Sequence, residues 1–199
     1  MNINLPALVL GITVGVTATF VAPVAADPEI EAAARAYLED HAQSWLGNPL
    51  IVQAINAQNA KHASIDQSGI DSLDKQWRSE SESGTGPLVD EVMANELSIY
   101  LQGVREESEG LLTEVFVMDA HGLNVGQSDL TSDFWQGDEA KWQKTFSVGP
   151  DTLFVDDVEL DDSSQRYQAQ VSYSITDPAT GKVIGAVTIG IDAEGLLML

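Results

Sequence analysis

The feature that most constrains this chain is an unbroken alternation near its C-terminal end. Tyr167, Ala169, Val171, Tyr173 and Ile175 interleave with Arg166, Gln168, Gln170, Ser172 and Ser174. Side chains along a strand point to opposite faces in turn, so the pattern predicts a half-buried strand with one apolar and one polar face. Thr176-Asp-Pro-Ala-Thr-Gly-Lys182 then turns the chain. Val183 to Ile191 runs back, with Val183, Val187, Ile189 and Ile191 on one side and small Gly185 and Gly190 within it. Two strands about a Pro/Gly turn make an antiparallel hairpin.

Other strands are shorter. Leu111-Leu-Thr-Glu-Val-Phe-Val-Met118 is an apolar, β-rich run suited to a central strand. Asp119-Ala-His-Gly122 reads as a turn and Asn124 to Ser128 as a short strand. Thr152-Leu-Phe-Val155 reads as another, followed by an acidic loop or hairpin from Asp156 to Ser164. Asp138 to Lys144 has room for one or two helical turns.

The first half reads as helix. Asp27-Pro28-Glu29 supplies a cap, a first-turn proline and an acid at the positive end of the dipole. Ile30, Ala33, Ala34, Tyr37, Leu38, His41 and Trp45 follow at helical spacing. Gly47-Asn48-Pro49 interrupts the helix, and Leu50, Ile51, Ala54, Ile55 and Gln58 resume it. Ile70, Leu73 and Trp77 mark a short helix, Ser79 to Gly86 a Gly/Ser-rich loop, and Pro87 to about Val104 a further helix. Helices first and about five strands after give an α+β chain: a helical segment over 27–110 and a sheet over 111–199, together one structural domain.

Charge narrows the function classes. The chain of 199 residues carries 31 Asp and Glu against 9 Lys and Arg, a net charge of -22. Such a surface repels phosphate backbones, which argues against nucleic-acid partners. There is no cysteine, hence no disulfide, thiolate metal site or thiol nucleophile. Residues 1–26 hold no charged side chain. Leu5 to Phe20 is apolar or small, and Val24 and Ala26 occupy the positions where a signal peptidase requires small residues. This predicts a cleaved signal peptide and a periplasmic or secreted product. A membrane anchor over residues 5–26 is the alternative.

The order of these elements resembles Cache sensor domains, the extracytoplasmic PAS-like domains also called PDC sensors. The likeness is carried by Phe116-Val-Met-Asp-Ala-His-Gly122, the short strand to Ser128, the Trp-rich segment, the acidic loop and the closing Ile184-Gly-Ala-Val-Thr-Ile-Gly-Ile-Asp192. The resemblance implies N-terminal helices packed on a five-stranded antiparallel PAS-like sheet. It also implies a pocket on one sheet face, roofed by the segment between the second and third strands, that holds an amino acid, amine or carboxylate. The chain ends at Leu199 without a second apolar span or an output domain, from which a free-standing binding protein is expected.

Catalytic and metal motifs are missing from the sequence. His41, His62 and His121 form no HExxH arrangement; His41 falls on the apolar helix stripe and His121 in an exposed turn. No P-loop, GxGxxG or Gly-x-Ser-x-Gly pattern occurs, so neither an enzyme nor a cofactor is expected. The acidic run Asp156 to Asp162 offers oxygen ligands to a cation without EF-hand spacing, and reads first as a solvated loop.

Thr131-Ser-Asp-Phe-Trp-Gln-Gly-Asp-Glu-Ala-Lys-Trp142 is the segment expected to form the ligand site. Its aromatic residues are costly to leave in water, and they either pack on the sheet as a lid or wall a pocket. Lys141 beside Trp142 is expected to hold a ligand carboxylate, with Asp129, Asp133 or Asp156 on an ammonium. Phe134, Trp135 and Tyr167 complete the expected site. A different function class is also open. The apolar stripe from Asp27 to about Lys61 could pair with its own copy as a homodimer or dock on a membrane receptor.

Overall fold

The computed structural model describes residues 28–161 and 166–199. The apolar leader, the Asp27 cap and Asp162 lie outside the described residues. Helices α1 (Pro28–Tyr37), α2 (Gln43–Leu46), α3 (Pro49–Lys61), α4 (Gln67–Ser83), α5 (Pro87–Met93) and α6 (Glu96–Glu107) precede the sheet. Strands β1 (Leu112–Met118), β2 (Asn124–Gln127), β3 (Leu153–Asp161), β4 (Arg166–Thr176) and β5 (Val183–Asp192) form it, with α7 (Ala140–Gln143) between β2 and β3 and α8 (Ala193–Leu196) at the end. The strand order is β2-β1-β5-β4-β3 and every neighbouring pair is antiparallel. This is the α+β architecture the sequence predicts.

The core lies between the helices and one sheet face. Val115, Val117, Val171, Val187, Ile189 and Ile191 are fully buried there against Ile51, Ile55, Leu97 and Leu101 of α3 and α6. Each such side chain contributes about 1.5–3 kcal/mol of burial. Gly185 lets β5 pass close to β1, because a Cβ at that position would collide with the Met118 carbonyl oxygen.

Helical phase departs from the expected stripe between α1 and α2. A π-helical segment, Leu38–Ala42, widens the turn, so the buried positions run Leu38, Ala42, Leu46. His41, one residue out of phase, is exposed and stacks on Tyr37 at 5.7 Å. Trp45 is only partly buried. The apolar stripe proposed for partner binding is largely spent on the chain's own core.

Three other boundaries need correction. α4 continues through Ser83, where a loop is expected, because its polar residues bond within the helix: Gln76 Nε2 donates to Glu80 Oε1 at 2.7 Å and the Ser81 hydroxyl to the Arg78 carbonyl at 3.1 Å. Gly84 ends it in the left-handed conformation (φ 74°). The single helix expected from Pro87 to Val104 is two, since Asn95 accepts from the Ser98 amide at 2.8 Å and starts α6 anew. β3 does not stop at Val155. It runs to Asp161 across a bulge at Asp156 and Asp157, pairing with β4 on both sides.

Candidate ligand-binding site

The polar face of β4 is covered over Ser172 and Ser174 and only partly covered over Gln168 and Gln170. Ser172 and Thr188 are fully buried, their hydroxyls 3.0 Å apart, and Ser174 is 1% exposed. The segment between β2 and β3 covers this face. Three tryptophans tie the segment down, one reaching its main chain from α4 and two of its own reaching the turn after β1. Trp77 of α4 donates from Nε1 to the Thr131 carbonyl at 2.9 Å, and Asp74 accepts from the amides of Phe134 and Trp135 at 2.9 and 3.1 Å. Trp135 Nε1 reaches the His121 carbonyl at 2.8 Å, and Trp142 Nε1 the Asp119 carbonyl at 3.1 Å.

Asp119 anchors the turn beneath this roof. Its carboxylate is fully buried and accepts from the amides of His121 and Leu123 at 2.8 and 3.0 Å and from Gln58 Nε2 at 3.0 Å. His62 Nδ1 lies 3.3 Å from the same carboxylate. Gly122 completes the turn at φ 80°, where a Cβ would strike the Gly137 backbone. His121 is half-buried, not exposed, with its Nδ1 enclosed beside the roof.

Roof and sheet leave a cavity of about 480 Å³ on this face. Its floor is Thr113, Glu114 and Phe116 of β1 with Gln168 and Gln170 of β4. The roof contributes Asp129 to Asp133, Gln136 and Lys141, and Arg105 enters from α6. Glu114 Oε1 accepts from Gln170 Nε2 at 2.8 Å, and the Thr113 hydroxyl donates to Gln168 Oε1 at 2.6 Å. Arg105 Nε lies 3.1 Å from Asp129 Oδ2, and Lys141 Nζ 2.8 Å from Glu139 Oε2 and 5.4 Å from the centre of the Phe116 ring. Among the described residues no group of three or more His, Asp or Glu is arranged to hold a metal.

Of the residues expected here, Asp129, Asp133 and Lys141 meet at the cavity. The others do not line it. Phe134 is 2% exposed and stacks on Trp77 at 5.2 Å in a second small core with Leu123 and Val89. Trp135 packs against that core. Trp142 stacks on Phe146 at 4.8 Å and fills the closed end of the face over Phe116, Met118 and Ala186. Phe134 is buried and the two indoles are partly buried against apolar neighbours, so these rings pack as a lid outside the cavity lining. Asp156 sits in the β3 bulge, off the cavity, and its Oδ1 accepts from the Asp157 amide at 3.0 Å. Tyr167 is 59% exposed at the far end of the β3–β4 hairpin. The sequence reading missed Arg105, Thr113, Glu114, Gln136, Gln168 and Gln170. The alternation had marked Gln168 and Gln170 as one face, and only the roof turns that face into a site.

No family model matches the chain, and no curated protein matches it. Among solved structures it is similar to the sensory domain of the Campylobacter jejuni chemoreceptor Tlp3 (CcmL), at 18% identity over 85% of this chain and 66% of that one, with a TM-score of 0.40. The Tlp3 ligand-binding domain in complex with 4-methylisoleucine matches at 16% identity over 85% of this chain, with a TM-score of 0.39, and the chain spans 62% of its length. The sensor domain of the V. cholerae histidine kinase DctB matches at 17% identity over 81% of this chain and 58% of that one, with a TM-score of 0.37.

Proposed function

We propose that the chain is an extracytoplasmic sensor domain that holds a small polar organic molecule between sheet and roof without transforming it. The observation that carries this reading is the cavity itself. It is large enough for a metabolite, open to the outside, and lined by side chains from β1, β4, α6 and the β2–β3 segment. Packing alone gives no reason for polar groups from four separate elements to converge on unfilled space. The reading agrees with the Cache resemblance, which implies a pocket under the β2–β3 segment. An amino acid, amine or carboxylate is the class that resemblance implies. Lys141 would face its carboxylate, and Asp129 or Asp133 its ammonium. Export of the chain, by cleavage after Ala26 or with residues 5–26 kept as an anchor, belongs to the same proposal.

A thermal-shift screen over amino acids, amines, carboxylates, nucleobases and neutral polyols tests it. A ligand of the native state raises the melting temperature in a saturable way set by its concentration relative to Kd. The ligand should be recovered unchanged by mass spectrometry. A flat response across the whole library would remove the binding reading. Sedimentation over a concentration series then decides whether the chain associates with itself instead.

A further inference from the structure

Building on the binding reading above, we propose that the cavity takes a neutral, hydroxyl-rich molecule, a polyol or a monosaccharide. The first ground is charge. The charged side chains at the cavity are already engaged within the protein: Arg105 pairs with Asp129 at 3.1 Å, Lys141 with Glu139 at 2.8 Å and Asp133 with Arg78 at 3.3 Å, while Glu114 accepts from the Gln170 amide at 2.8 Å. An anionic ligand has to compete with Asp129 for Arg105 or with Glu139 for Lys141, and a cationic one with the existing partners of Asp129, Asp133 and Glu114. A neutral ligand leaves all three pairs in place.

The second ground is an orphaned acceptor. Gln136 is 1% exposed and lines the cavity. Its Nε2 donates to the Asp133 carboxylate at 2.7 Å and faces the Asp133 carbonyl at 3.3 Å, which fixes the orientation of the amide. Its Oε1 has no hydrogen-bond partner in the protein. A buried acceptor of this kind is costly unless something donates to it; the oxygen is shut off from water as the side chains stand, so a ligand hydroxyl satisfies it once the Gln136 amide shifts toward the cavity. Gln168 and Gln170 add two more amides on the floor, and Thr131 and Ser132 add hydroxyls on the roof. Amides and hydroxyls both donate and accept, as does every hydroxyl of a polyol.

The third ground is the apolar content. Phe116 is the one aromatic residue lining the cavity among the described residues, and the Lys141 ammonium already lies over its ring. A flat nucleobase finds no free ring to stack on. A branched aliphatic group finds only Leu112 and Leu130.

Calorimetric and thermal-shift titrations of the full chain test the proposal. Glycerol, an inositol and a set of aldohexoses form one arm; amino acids, amines and dicarboxylates form the other. The expected result is saturable binding in the first arm, with a Kd that holds between low and high salt because no ligand charge is screened. Gln136→Leu should weaken that binding about tenfold, the scale of one lost hydrogen bond in an enclosed site. Gln168→Ala, read in the same way, serves if the first variant does not fold. Binding confined to the charged arm overturns the ligand class and leaves the sensor reading standing. Sugar binding unchanged in every folded variant puts the sugar elsewhere and overturns the assignment. Silence in both arms overturns the assignment and the binding reading together.

Discussion

Thr188 and Ile189 are neighbours on β5, both fully buried, yet they look into different surroundings. Ile189 faces the helices, where α3 and α6 press aliphatic side chains onto the sheet. Thr188 faces the roof, where its hydroxyl meets Ser172 in a layer of hydroxyls, amides and carboxylates. One face is dry because it is apolar and close-packed. The other is polar, closed around Ser172 and Thr188 only because a tied-down loop segment lies over it, and open at the cavity beside them. The contrast teaches that stability and recognition are divided across a single sheet, a few ångströms apart.

Mutations on the two faces should therefore separate. The largest effect is expected from Ile189→Ala, which leaves a cavity in a rigid core and should lower stability by about 2–5 kcal/mol in urea denaturation. Thr188→Val, one residue away, keeps the volume and removes the partner of Ser172. It should cost about 1 kcal/mol by the same assay. Equal losses at the two positions would mean that the roofed face is as much a folding core as the other. Smallest of all is Gln170→Ala, on the cavity floor. It should stay within about 0.5 kcal/mol of the parent while changing ligand affinity.

Acid sharpens the comparison from the roof side, because α4 holds the roof and Glu80 joins α4 to α5. Desolvation pushes the Glu80 carboxyl up, but hydrogen bonds from the Val89 amide, Gln76 and the Leu88 amide outweigh it and hold it below its usual value. A depressed folded-state pKa gives stability that is present above the unfolded pKa and lost as pH falls through the folded one. Stability should thus decline below the ordinary carboxylate range, and Glu80→Gln should decline less steeply there. Parallel curves for the two proteins in acid denaturation would exclude Glu80 as a contributor.

The faces also differ in how plainly the sequence declares them. Val171, Ile175, Val187 and Ile189 announce a strand hairpin because apolar burial enforces the period of two. Gln168, Gln170 and Ser172 share that period, but a polar residue facing water and one facing a roofed cavity look the same in sequence. Glu114 of β1 meets Gln170 of β4 only because β5 sets those two strands on either side of itself, an arrangement no local pattern encodes. The sequence leaves the aromatic segment open between lid and pocket wall; its rings go to packing, and Lys141, Asp129 and Asp133 are the expected residues that line the cavity. Asp156 lies in the β3 bulge, where charges along an edge strand resemble those of a solvated loop in sequence.

The indole hydrogen bonds of Trp77, Trp135 and Trp142 all end on main-chain carbonyls, those of Thr131, His121 and Asp119. A carbonyl is present whatever side chain its residue carries. The frame that suspends the roof is thus indifferent to the chemistry displayed beneath it. Descendants of this chain can exchange Ser132 or Lys141 for other side chains, and so retune what they detect, without renegotiating these three attachments.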